Sequence, residues 1–263
     1  MTKLRSGRLF YLFHLSVAIL SYLFLYIPIL ILVIFSFNTE RFPSAWTQFT
    51  LRWYEELLHA TDLWRALFNS FIVSTMATVL SLILGIFFIF FCAQKIEVKR
   101  MAPFFYGNII VPEIMLAISL LGYFTFFKVE LGFTTLIIAH TILGLGFIIP
   151  MLYVKYAEID AHLYEVSCSL GASSIQTFWK VTLPLLRPTL LVVGLLIFVL
   201  SFDDFVFSYF CSGTSVQNLS LYLLSMLRLG ISPMINALST FLFMLSGLLA
   251  LICFSMRLRS RII

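Results

Sequence analysis

Six stretches of this chain are apolar over the length a helix needs to cross a bilayer, about 20 residues, and no other feature restricts its fold as much. They cover residues 11–37, 64–92, 103–127, 133–153, 188–210 and 233–256. Charged residues make up 11% of the 263 and hydrophobic ones 61%, against roughly 25% charged in an ordinary soluble domain. A water-soluble chain of this size cannot hide that much apolar side chain, so lipid is the solvent that remains. The expected fold class is all-α: a polytopic membrane helical bundle of about six transmembrane helices, forming a single transmembrane domain over residues 1–263.

The basic residues orient it. With both termini in the cytoplasm, that side receives Lys3, Arg5, Arg8, Lys95, Lys99, Arg100, Lys155, Lys180, Arg187, Arg257, Arg259 and Arg261. The far side receives Arg41, Arg52, Arg65, Lys128 and Arg228, and twelve against five satisfies the positive-inside rule. The basic start resembles a signal peptide, but the apolar run over 9–37 is too long and no small-residue cleavage site follows, so it reads as an uncleaved first span. The net charge of +5 is not gathered into a run, which argues for contact with membrane lipid and against nucleic acid. Cys92, Cys168, Cys211 and Cys253 have no CxxC spacing and His14 and His140 sit in apolar surroundings; they read as packing residues, not as metal ligands or disulfides. No GxxxxGK[ST] phosphate loop occurs, so the chain is not expected to hydrolyse ATP.

Some boundaries are less regular. Pro28 lies inside the first stretch, and Asp203 and Asp204 interrupt the fifth. Residues 219–228, bracketed by Ser220 and Gly230, are apolar over only half a span and read as a re-entrant or interfacial helix. Trp46, Trp53 and Trp64 suit the headgroup layer, and residues 38–63 hold polar Glu55, Glu56, His59 and Asp62 beside Trp53, Tyr54, Leu57 and Leu58, the pattern of a short interfacial helix.

The cytoplasmic loop over 154–187 concentrates charge in a chain that otherwise avoids it. Its residues predict a helix to Leu170, a turn at Gly171, and a second helix capped by Ser173 with Gln176 at the third position. Pro184 is expected to stop that helix and Pro188 to begin the fifth span. The pattern fits equally a plain connector lying on the membrane and a rigid docking knob with Phe178 and Trp179 as aromatic anchors.

Glu165-Val166-Ser167-Cys168-Ser169-Leu170-Gly171-Ala172, followed by Phe178, Val181, Leu183 and Pro184, resembles the EAA loop of bacterial ABC-importer permeases. Val166 and Ser167 stand where that family has two alanines, and Asp160-Ala161-His162 where it more often has an aspartate–proline lead-in. Ser201-Phe202-Asp203-Asp204-Phe205-Val206 and the run from Leu221 through Gly230 to Leu238 are similar to the permeases of spermidine/putrescine importers. The resemblance implies a type I (MetI-like) importer fold in the bacterial cytoplasmic membrane. It implies a cytoplasmic ATPase dimer that binds ATP and Mg, a second homologous permease and an external or periplasmic polyamine-binding receptor as partners. This chain itself would carry no cofactor and no catalytic site. Glu165, Gly171, Ala172, Phe178, Trp179, Leu183 and Pro184 would form the ATPase-coupling loop.

Intramembrane acids are costly and by default mark a pathway. Asp203 and Asp204 point about 100° apart on a helix, so one can face a pore while the other faces a neighbouring helix; the alternatives are pairing with another chain or capping a broken helix. Glu113, after Pro112 in the third stretch, reads as a path or gate residue. Tyr209 and Tyr222, with Phe207, Phe210 and Tyr123, supply faces for cation–π contact with a polyamine. The rival readings are an importer permease for another small solute and a stand-alone secondary transporter, the latter poorly served by so few intramembrane acids.

Overall fold

The computed structural model describes residues 2–40, 45–94, 102–228, 230 and 233–259, and of 2–10, 12, 93–94, 102–103, 108–109 and 249–259 the backbone alone. Arg41, Lys95, Lys99, Arg100 and Arg261, used above for orientation, lie outside the described residues, as do Ile231 and Ser232. The described chain is helical, with one isolated antiparallel bridge between Asn38 and Phe49. It separates into two compact units, Met1–Thr61 with Leu223–Ile263, and Asp62–Tyr222.

In the first unit α1 (Thr2–Phe35) is apolar all round and runs unbroken past Pro28. None of its most apolar stretch is buried within the chain, as expected of a helix whose solvent is lipid or another subunit. α2 (Arg52–His59) is the expected short amphipathic helix, with Trp53 and Leu57 one turn apart on its buried face. Trp53 is therefore not a headgroup anchor. Its indole N–H donates to the Asn38 carbonyl at 2.7 Å. The Asn38 side chain in turn donates to the Ala45 carbonyl and accepts from the Thr47 amide and hydroxyl, all at 2.9 Å. A buried amide with its bonds met ties Asn38 to Ala45 and Thr47. The unit closes with the last helix, α12 (Pro233–Arg259).

The second unit begins with α3 (Thr61–Gln94). The third expected crossing is not one helix: α4 (Ala102–Ile110) and α5 (Glu113–Phe126) flank a break at Val111-Pro112. Proline has no N–H to give and disfavours helical backbone in the residue before it. α6 (Phe133–Ala157) follows and is the most buried of the long helices. Then come α7 (Ala161–Ser169) and α8 (Ser174–Thr177). A π-helical turn over Phe178–Thr182 leads directly into α9 (Leu183–Asp203).

Pro184 therefore does not stop the helix, nor does Pro188 start one: Ser174–Asp203 is continuous. The reason lies in the turn. The Leu183 amide reaches back five residues to the Phe178 carbonyl, and Pro184 falls within the first two positions of the α-helical run that follows, where a missing N–H costs little. The fifth crossing also ends earlier than expected, at Asp203, with a separate short helix α10 (Val206–Cys211) beyond it. α11 (Leu219–Arg228) follows, capped by Asn218, whose side-chain oxygen accepts from the Leu221 amide at 3.2 Å; Ser220 is not the cap.

Four helices of the described chain are long and apolar enough to span a membrane: Phe13–Phe35, Thr61–Cys92, Phe133–Ala157 and Ser174–Asp203. Glu113–Phe126, Leu219–Arg228 and Pro233–Leu248 are shorter apolar stretches. Within the second unit one apolar cluster gathers Val73, Ala117, Phe124, Leu136, Ala139 and Phe207, and another gathers Ile89, Ile148, Ile149, Leu152, Phe178 and Leu186.

α6 approaches its neighbours closely at Gly144. A Cβ there would overlap the Ser81 hydroxyl of α3 and meet Ile197 of α9 at 3.0 Å. Gly144→Ala should therefore lower stability by about 1–3 kcal/mol, read as an earlier thermal transition of the purified protein in detergent. Adding Ser81→Ala, which removes the worst overlap, should recover part of the loss. Equal transitions for Gly144→Ala and the unmodified chain would mean that the contact is not tight.

Candidate transport pathway and coupling site

The segment between α6 and α9 is built as an elbow. Asp160 caps α7, accepting from the His162 amide at 3.0 Å. Gly171 then turns the chain with φ +88°, a conformation that costs glycine nothing and any other residue strain. Ser173 and Gln176 form the expected reciprocal cap on α8, with bonds of 3.3 and 3.0 Å. Two hydroxyl pairs lace the arms together: Tyr164 with Ser174 at 2.9 Å and Ser167 with Thr177 at 2.8 Å.

The two aromatic residues of the elbow part company. Phe178 is 3% exposed, edge-on to Phe90 at 5.0 Å, and it roots the elbow in the apolar cluster around Ile148 and Leu186. Trp179 is 55% exposed. Glu165 points outward, 3.3 Å from His162 Nδ1, while Ala172, Leu183 and Pro184 are half-buried. Leu163, Val166, Leu170 and Ile175 add an exposed apolar surface on α7, the turn and α8.

The acids lie where helices break. Asp204 occupies the gap between α9 and α10 in extended backbone, φ −63° and ψ 131°. Its carboxylate accepts from the Phe207 amide at 3.4 Å, the Ser208 amide at 3.0 Å and the Ser208 hydroxyl at 3.2 Å. Asn218 donates to that same hydroxyl. Capping a broken helix, one of the alternatives left open above, is thus what Asp204 does. Its carboxylate also meets the side chain of Glu113, the first residue of α5, so two carboxyls face each other across two helix breaks.

Asp203, by contrast, is exposed at the end of α9, its backbone carbonyl 3.5 Å from the Ser220 hydroxyl. Tyr209 is exposed beside Phe205 and Phe210, and Tyr222 is half-buried on α11 near Asp62. The structure brings together Glu113 and Asp204 from the sequence candidates and adds His140, which the sequence reading took for a packing residue. His140 is fully buried, with Nδ1 2.8 Å from the Ser201 hydroxyl and Nε2 3.5 Å from Asp204. A histidine in an apolar span was itself the available signal, since intramembrane ionisable groups are functional by default.

Helices broken inside a membrane segment, acids at the breaks and a structured elbow between two long helices define a transport protein. The chain belongs to the family of binding-protein-dependent transport system inner membrane components, whose family model matches residues 96–262. It is 36% identical to the spermidine/putrescine transport system permease protein PotC of Escherichia coli (strain K12) over 230 residues, 86% of each chain. The Haemophilus influenzae protein of the same name is 34% identical over 236 residues, 89% of this chain and 91% of that one. A solved bacterial ABC transporter involved in the import of the acidic polysaccharide alginate shares the fold, with TM-score 0.70 at 16% identity over 99% of this chain and 98% of that one.

The two neighbouring acids differ in structural weight. Asp204→Ala should destabilise the protein by about 1–3 kcal/mol by stripping the cap from α10. Asp203→Ala should stay within about 0.5 kcal/mol of the parent. Thermal unfolding in detergent distinguishes them, and equal effects would contradict the cap.

Proposed function

We propose that this chain is a permease subunit of an ATP-driven importer that moves polyamines such as spermidine and putrescine into the cytoplasm. Residues 1–263 would form its transmembrane domain and 154–187 its cytoplasmic coupling loop. The observation that carries the cargo is the pair of facing carboxyls, Glu113 and Asp204. Two carboxylates held together repel, and an ammonium placed between them relieves both. Polyamines carry several ammonium groups joined by methylenes, and aromatic rings such as Tyr209 and Tyr222 suit both parts. The similarity to spermidine/putrescine permeases over most of the chain supports the same reading.

The remaining machinery is supplied by partners: an ATPase dimer that binds ATP and Mg, a second homologous permease, and a receptor outside. Both termini face the cytoplasm. The ATPase would seat against the elbow, with Trp179, Glu165 and the exposed Leu163 of α7 and Leu170 of the turn as contacts. Ala172, Leu183 and Pro184 would shape its base, and Phe178 would hold it rigid from within. Closing of the ATPases then moves the elbow, and α6 and α9 carry the movement to the acids.

In liposomes holding the whole importer, radiolabelled spermidine and putrescine should be taken up in an ATP-dependent manner. Glu113→Gln and Asp204→Asn should each slow uptake by about tenfold, the scale of one charge-assisted hydrogen bond, and Asp203→Asn by less. Unchanged uptake in all three would dispose of the acidic site. Gly171→Val should leave assembly intact and hydrolysis running while uptake stops; normal uptake by that variant would sink the coupling role of the elbow.

A further inference from the structure

We infer that His140 is a positioning residue for Asp204, the side chain through which the α6–α9 hairpin sets that acid for its cation. The inference rests on the reading of Asp204 as a cargo-binding acid.

His140 stands on α6 with no part of it exposed. Its ring is held by one firm contact, the Ser201 hydroxyl on α9 at 2.8 Å from Nδ1. With that hydroxyl as donor, the neutral ring carries its own proton on Nε2, so a donor points at Asp204. The separation of 3.5 Å lies just beyond the 2.7–3.2 Å of an N–H···O bond, and among the described residues Nε2 is buried without a hydrogen-bond partner. A buried donor left without a partner is costly. A shift of about half an ångström closes the bond.

The groups facing the ring come from every side of the gap. They are Ser201 on α9, Asp204 at its end, Glu113 on α5 and the Phe207 ring of α10, centred 6.1 Å away. The carboxylate of Asp204 already accepts from the amides of α10, Oδ1 from Phe207 and Oδ2, the oxygen that His140 faces, from Ser208. His140 is therefore the contact that α6 can make or break without unmaking the cap. Because α6 enters the elbow and α9 leaves it, any slide of one helix against the other changes this distance.

Two near-isosteres separate the two contacts. The amide nitrogen of His140→Gln reaches about as far as Nε2 and keeps a donor toward Asp204. His140→Asn reaches only as far as Nδ1 and keeps a partner for Ser201 alone. In liposomes with the complete importer, the quantity to measure is polyamine moved per ATP hydrolysed, at matched amounts of assembled complex. His140→Asn should lower that ratio by about tenfold, and His140→Gln should stay within about threefold of the unmodified chain. In an Asp204→Asn background the two should be indistinguishable, because the acid they act through has lost its charge.

Equal ratios for the Asn and Gln variants would overturn the inference while leaving polyamine import standing. So would a tenfold gap that persists in Asp204→Asn, or failure of both variants to assemble, which would make His140 structural support only. An unmodified importer that takes up no polyamine would overturn both.

Discussion

In hydrocarbon a helix cannot simply end, because the amide groups of its last and first turns have no water to bond. The second unit nonetheless breaks α9 from α10 inside an apolar run, and it does so on one carboxylate. Asp204 stands in for the missing turn, accepting two amides and a hydroxyl from the start of α10. Asn218 reaches the same serine from the far side and caps α11 with its remaining oxygen. A single acid thus permits a break in the chain and two short helices beyond it, where the apolar run would otherwise favour one straight span.

That solution concentrates polarity. Once a carboxylate is needed to cap the break, it brings other polar groups with it, since a lone buried charge is far more expensive than a bonded one. Glu113 arrives at the second break, produced by Pro112, and His140 and Ser201 meet between α6 and α9. The cap and the transport role proposed for Asp204 are therefore not rivals. Both oxygens of the carboxylate accept from the start of α10, and the same group meets Glu113, which on the proposed reading gives a cation two acids to satisfy.

Much of this was legible in the sequence, and what was not has local causes. Apolar run length placed α1, α3 and α6 because nothing in those stretches competes with the helix. Ser173 with Gln176, and Gly171, were readable because capping and positive φ are set by neighbouring residues alone. Pro184 misled because a proline's cost depends on the hydrogen-bond register before it, and the π-turn at Phe178–Thr182 shifts that register. Phe178 and Trp179 looked equivalent because they are adjacent and both aromatic. Only the fold separates them, with Phe90 and Ile148 burying one and leaving the other in the open. His140 was hidden for a related reason: its partners lie 61 and 64 positions onward, at Ser201 and Asp204, a distance that no pattern within one helix can bridge.

The same geometry explains how a movement at the elbow could reach the acids at all. From Ala157 to His140 along α6 is about 25 Å at the rise of an α-helix, far beyond any direct contact. A loosely packed helix would absorb a push over that length in side-chain rearrangement. α6 has little room to do so, because Gly144 brings its backbone against Ser81 of α3 and Ile197 of α9, and Gly85 of α3 sits against Ile148. Interiors packed this tightly move as bodies rather than yield. The polar contact best placed to register such a displacement is the one left slightly open, between His140 and Asp204. On the proposed reading, close packing along the hairpin and the open contact at its end would work as two halves of one device, since rigidity without a responsive contact would transmit nothing to the acid, and a responsive contact on a soft helix would never feel the elbow move.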